Sequence, residues 1–86
     1  MGGSTTSSPA VELGTLLRQK RLERNLSQRD LAALTDLERS TIAYVERGTR
    51  QPSLHTLLEL CKALGILPSD LLRELEVKIL FEEQLR

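Results

Sequence analysis

The stretch Gln28–Gly48, QRDLAALTDLERSTIAYVERG, decides the fold. Leu31 and Ala32 supply the inward side of one short helix. Ser27 opens that helix, because Ser27 and Asp30 form a Ser-x-x-Asp capping box that satisfies orphan amides at a helix start. The helix is expected to stop near Thr35–Asp36. After a tight turn of three or four residues, a second helix starts at Leu37, buries Ile42 and Val45, and ends at Gly48, which is free to take positive φ. Its other face carries Arg39, Ser40, Ala43, Tyr44 and Arg47 at spacings i, i+1, i+4, i+5 and i+8. These side chains are rich in donors and have little packing reason to be there. A helix about ten residues long with such a face has the size and chemistry that a DNA major groove admits.

Outward from this stretch the pattern stays helical. Residues 2–9 (GGSTTSSP) offer nothing to bury, and residues 1–10 are expected to form a flexible arm. From Val11, Leu13, Leu16 and Leu17 recur at helical spacing, and Asn25 stands where a left-handed residue commonly ends a helix. Ser53, after Pro52, is the expected cap of a fourth helix carrying Leu54, Leu57, Leu58, Cys61 and Leu64, closed by Gly65. Ser69 is the expected cap of a last helix. No strand alternation and no repeat is present. The fold class is all-α: a compact five-helix domain over residues 11–72 with an extended C-terminal helix over 73–86.

Composition narrows the function. The chain has 86 residues, 12 Lys+Arg and 12 Asp+Glu, for a formal net charge of zero. A uniformly basic tail is excluded, but a basic face is not. Residues 18–50 carry eight Lys/Arg against five Asp/Glu, and residues 51–86 carry four against six, so the neutral total conceals a sorted charge. Leu occurs 19 times and Val and Ile together six times, which favours helices over strands. Tyr44 and Phe81 are the only aromatics. A lone Cys61 and a lone His55 permit neither an intramolecular disulfide nor a cysteine-rich zinc site, and no cofactor is expected. Nucleophile elbow, glycine-rich phosphate loop and metal-ligand spacing are all missing, so an enzyme is not expected. No apolar run approaches the roughly 20 residues that span a bilayer. A cytoplasmic protein without membrane contact is the expectation.

Leu26-Ser27-Gln28-x-x-Leu31-Ala32, Leu37-x-x-x-x-Ile42-x-x-Val45-Glu46-x-Gly48, Arg50-x-Pro52 and Leu57 through Leu64-Gly65 together resemble the phage-repressor/Cro-type helix-turn-helix regulators, the XRE family. The resemblance runs from about Leu13 to Leu72. It implies a lambda-repressor-like domain that binds operator DNA as a dimer, with the helix from about Glu38 to Arg47 as the recognition helix. By position it places Arg39, Ser40 and Tyr44 at base edges, with Glu38 at the margin of that set. Gln28 falls where the family holds a backbone phosphate while bracing the recognition helix, and Thr41 and Arg50 fall near phosphate. Arg47 is a further phosphate candidate. Arg21 and Glu46 match a structural ion pair between the first helix and the end of the recognition helix. The sequence departs from the family twice. Asp36 stands where glycine is frequent in the turn, and aspartate tolerates left-handed φ. Glu38 replaces the usual Ser or Thr cap, so either Asp36 caps or the helix start shifts.

In the last helix, Leu72, Leu75 and Ile79 fall on one side, with Val77, Leu80 and Phe81 on another. A helix apolar nearly all round wants two partners. Leu75, Val77, Ile79, Leu80 and Phe81 are therefore the expected dimerisation set, and a homodimer predicts a palindromic operator. The expected partners are double-stranded DNA and a second copy, with RNA polymerase as a contact if the protein activates. The short tail is similar to that of restriction–modification controllers and of small antitoxins. The rival reading is a helix-turn-helix scaffold that dimerises and binds a protein, for which a donor-rich outer face over residues 38–47 has no use.

Overall fold

The Ser8 hydroxyl accepts the Val11 amide at 3.2 Å, and Pro9 follows as the first helical residue, where its missing N–H costs nothing. Helix α1 (Pro9–Glu23) thus starts two residues before Val11. The computed structural model describes residues 8–84, with side chains as far as Phe81. Residues 1–7 of the expected arm lie outside the described residues, whereas Pro9 and Ala10 belong to α1. Asn25 takes the expected left-handed conformation, with φ of 58°, and turns the chain into α2 (Gln28–Ala33).

The capping box at Ser27 forms in both directions. The Asp30 amide donates to the Ser27 hydroxyl, and the Ser27 amide to the Asp30 carboxylate, both at 2.9 Å. Accepting that backbone amide holds the Asp30 carboxyl below the usual carboxylate range. The following turn is closed by Thr35, whose hydroxyl donates to the Ala32 carbonyl at 3.1 Å and accepts the Leu37 amide at 3.0 Å. Asn25 is the one non-glycine with positive φ among the described residues, so Asp36 makes the turn without the left-handed conformation. Helix α3 (Arg39–Arg47) begins two residues after Leu37. Glu38 is its extended N-cap residue, and no side chain caps it. Gly48, with φ of 75°, ends it.

Ser53 caps α4 (Leu54–Leu64) by accepting the Thr56 amide at 3.1 Å, and Gly65 closes it. The last helix, α5 (Pro68–Gln84), begins one residue early. Proline occupies its first position, and Ser69 lies inside the helix and not at its cap. Five helices and no strand are present among the described residues.

One core joins Leu13, Leu16 and Leu17 of α1, Leu31, Ile42, Val45, four residues of α4 and Leu71. The buried residues of α4 are Leu57, Leu60, Cys61 and Leu64. Leu54 and Leu58 of the same helix are exposed. On α5 the buried residue is Leu71, while Leu72 points outward. Burial pushes the Cys61 thiol up, which keeps it protonated and unreactive.

Helix α1 lies between α3 and α5 and packs on both. Gly14 sits where a Cβ would run into the carbonyl oxygens of Val45 and Glu46 at the end of α3, so only glycine lets the two backbones approach this closely. On the other side, Lys20 pairs with Glu74 at 2.9 Å and Lys78 with the buried Glu12 at 3.1 Å, joining α1 to α5. No described helix is long and apolar enough to cross a membrane.

Candidate nucleic-acid interface

The interface is built from a buried anchor outward. Arg21 of α1 forks onto Glu46 of α3, with Nε to Oε2 at 2.7 Å and Nη2 to Oε1 at 2.9 Å. Its third nitrogen, Nη1, donates to the Leu26 carbonyl at 2.8 Å. Both side chains are nearly inaccessible, 8% and 4% exposed, so the pair is a desolvated bidentate bridge and not a surface contact. The hydrogen bonds to Glu46 hold the Arg21 guanidinium even more firmly protonated than usual. The ion pair implied by the resemblance is therefore present.

A second step extends this anchor to the surface. Gln28 Nε2 donates to Glu46 Oε1 at 3.0 Å, and Gln28 Oε1 accepts from Arg39 Nη1 at 3.2 Å. Arg21, Glu46, Gln28 and Arg39 thus form one continuous chain of hydrogen bonds from the scaffold to the first turn of α3. Gln28 braces the helix, as the resemblance implies, and it does so through the side chain that leads the outer face. With Arg21, Ser27 and Arg29, Gln28 and Arg39 line a shallow polar recess.

The outer face of α3 lies largely as expected. Arg39, Ser40 and Arg47 are exposed, Thr41, Ala43 and Tyr44 are half-buried, and Glu38 is exposed one step before the helix begins. Arg50, beyond Gly48, returns to the same face. Its guanidinium carbon lies 4.4 Å from the centroid of the Tyr44 ring, and that of Arg47 lies 5.1 Å away. Among the described residues no carboxylate lies within 4.0 Å of Arg39, Arg47 or Arg50. Sequence spacing missed the Arg39–Gln28 contact and the gathering of two arginines on Tyr44. Both depend on tertiary folding, one on α2 crossing α3 and the other on the reversal at Gly48.

The expected dimerisation residues divide. Leu75 is half-buried and packs against its own core, and Ile79 is half-buried. Val77, Leu80 and Phe81 are 56%, 48% and 61% exposed and make one stripe at i, i+3, i+4. Val77 also lines a groove between α1 and α5 with Leu16, Gln19, Arg73, Glu74 and Lys78. Among the described residues no group of three His, Cys, Asp or Glu could hold a metal ion. His55 is exposed, 4.0 Å from Asp36.

The chain is similar to known proteins in both sequence and fold. A helix-turn-helix family model matches residues 17–72. The chain is 44% identical over 68 residues to control protein C.BamHI of Bacillus amyloliquefaciens, covering 78% of this chain and 84% of that one. It is similar to the crystal structure of the restriction–modification controller protein C.AhdI from Aeromonas hydrophila, at 45% identity and a TM-score of 0.70, over 72% of this chain and 94% of that one. The controller C.Esp1396I, solved as a tetramer in complex with its natural 35 base-pair operator, superposes with a TM-score of 0.77 at 27% identity, over 87% of this chain and 99% of that one.

Proposed function

Because the chain belongs to the helix-turn-helix family, whose relatives here are DNA-binding transcriptional regulators and not enzymes, we propose that it is a controller-type regulator that binds a palindromic operator as a homodimer. The observation that carries this reading is the outer face of α3, a row of donors free of carboxylate partners and braced from behind through Gln28. Helix α3 enters the major groove, with Arg39 and Ser40 at base edges and Glu38 beside them. Gln28, Thr41, Arg47 and Arg50 meet backbone phosphates, which fix register and supply most of the affinity. A protein-binding module would have no use for this arrangement. The protein works in the cytoplasm, and it represses by occupying a promoter or activates by touching RNA polymerase from a neighbouring site.

Arg39 can donate two bonds to guanine O6 and N7, and Gln28 limits the directions it can take. Arg39→Ala is expected to lower discrimination at one base position of each half-site by about 1–3 kcal/mol, with little loss on random-sequence DNA. Site selection from a random pool followed by competition binding reads both numbers. Failure of the unmodified protein to shift any DNA at low salt would overturn the reading.

Assembly follows from α5. The stripe Val77, Leu80 and Phe81 continues into the α1–α5 groove, and a second copy related by a two-fold axis would cover both. Such a pair sets two copies of α3 about 34 Å apart, one turn of DNA. Replacing Leu80 and Phe81 together with serine is expected to give monomers in sedimentation and to weaken operator binding while leaving the helical content in place. An unchanged dimer would place the interface elsewhere.

A further inference from the structure

We propose that Tyr44 is a positioning residue that gathers Arg47 and Arg50 into one clamp for a DNA phosphodiester group, and does not itself read bases. The proposal rests on the DNA-binding reading above. Arg47 follows Tyr44 by three residues on α3, so the two share a face. Arg50 reaches the same ring by another route. Gly48 takes the left-handed conformation, and the Thr49 amide and hydroxyl both donate to the Tyr44 carbonyl at 3.1 Å. This folds the loop back over the end of α3 and brings Arg50 to 4.4 Å from the ring centroid, with Arg47 at 5.1 Å. Both lie within the roughly 6 Å over which a guanidinium is attracted to an aromatic face.

The two cations repel each other, and no carboxylate among the described residues lies within 4.0 Å of either. The ring therefore holds together a charge pair that lacks a counter-charge, on the face that meets DNA. A phosphodiester supplies that counter-charge, and guanidinium forks match its oxygens. Fixing both side chains in advance also removes part of the ordering cost of binding. An aromatic ring whose surface is engaged by two cations acts through them, which separates Tyr44 from Arg39 and Ser40.

The test compares the full chain with Tyr44→Phe and Tyr44→Leu, on operator and on random-sequence duplex, across a salt series. Tyr44→Phe keeps the ring and is expected to match the unmodified protein on both DNAs. Tyr44→Leu is expected to weaken both by the same factor, about five- to thirty-fold, with the slope of log affinity against log salt shallower by about 1–2. In an Arg47→Gln, Arg50→Gln background, Tyr44→Leu is expected to have no further effect, an outcome that a purely structural role for the ring would not produce. Loss of sequence preference in Tyr44→Phe, an unchanged salt slope in Tyr44→Leu, or full additivity with the arginine changes would overturn the clamp while leaving the regulator reading in place. Absence of DNA binding by the unmodified protein would overturn both.

Discussion

Arg21→Met is expected to destabilise the fold by about 3–5 kcal/mol, because it leaves the Glu46 carboxylate buried without its partner. Small domains are stable by about 5–15 kcal/mol in total, so this single change removes a large part of the reserve. Denaturant melts at one fixed protomer concentration measure it, since a dimer's stability depends on concentration. The pair Arg21→Met with Glu46→Leu is expected to recover most of the loss, as replacing a buried pair with well-packed apolar groups is often close to neutral. The recovered protein is expected to bind DNA with poorer discrimination, because Gln28 no longer has Glu46 to hold it and Arg39 loses its fixed support. A loss below about 1 kcal/mol in the single variant would show that the pair is far better hydrated than its burial indicates.

Gly14→Ala is the second large effect, and its sign is the informative part. Glycine inside a helix is ordinarily a weakness, and alanine there gains about 0.5–1 kcal/mol. Here the added methyl would lie 2.7 Å from the Glu46 carbonyl oxygen and closer still to that of Val45. Both are backbone atoms, so α3 must move as a whole, and overpacking of this kind costs about 1–3 kcal/mol. The expected result is a net loss of stability, accompanied by weaker DNA binding, since the displaced segment carries Glu46. A stabilised Gly14→Ala protein would mean that α1 and α3 are not in close contact in solution.

The helices were legible in the sequence wherever their signals are local. Ser27 with Asp30, Ser53, Asn25, Gly48 and Gly65 each mark an end through bonds made within a few residues. The last helix begins ahead of the cap that Ser69 predicts, because Pro68 takes the first helical position. Periodicity does not single out Leu60 and Leu71 as core or separate them from the exposed Leu54 and Leu58, since a leucine-rich helix offers several stripes and only its neighbours decide which is covered. The Thr35 hydroxyl closes the turn without the glycine usual there, a substitution invisible to spacing. The Arg21–Glu46 pair was legible only through resemblance, because the two residues lie 25 positions apart. Gly14 carried no signal at all, for close approach is a property of two helices and not of one.

The ion pairs that fasten α5 to α1 acquire a wider meaning once both helices are seen together. Helix α1 grips α3 through Arg21 and Gly14, and grips α5 through Glu12 and Lys20. In a pair of chains joined along α5, the separation of the two copies of α3 is carried through packed helices, with no loop in the path. In the pairing proposed above, helix α1 would be a ruler, and the operator spacing would be set by the angles at which two helices lie against it.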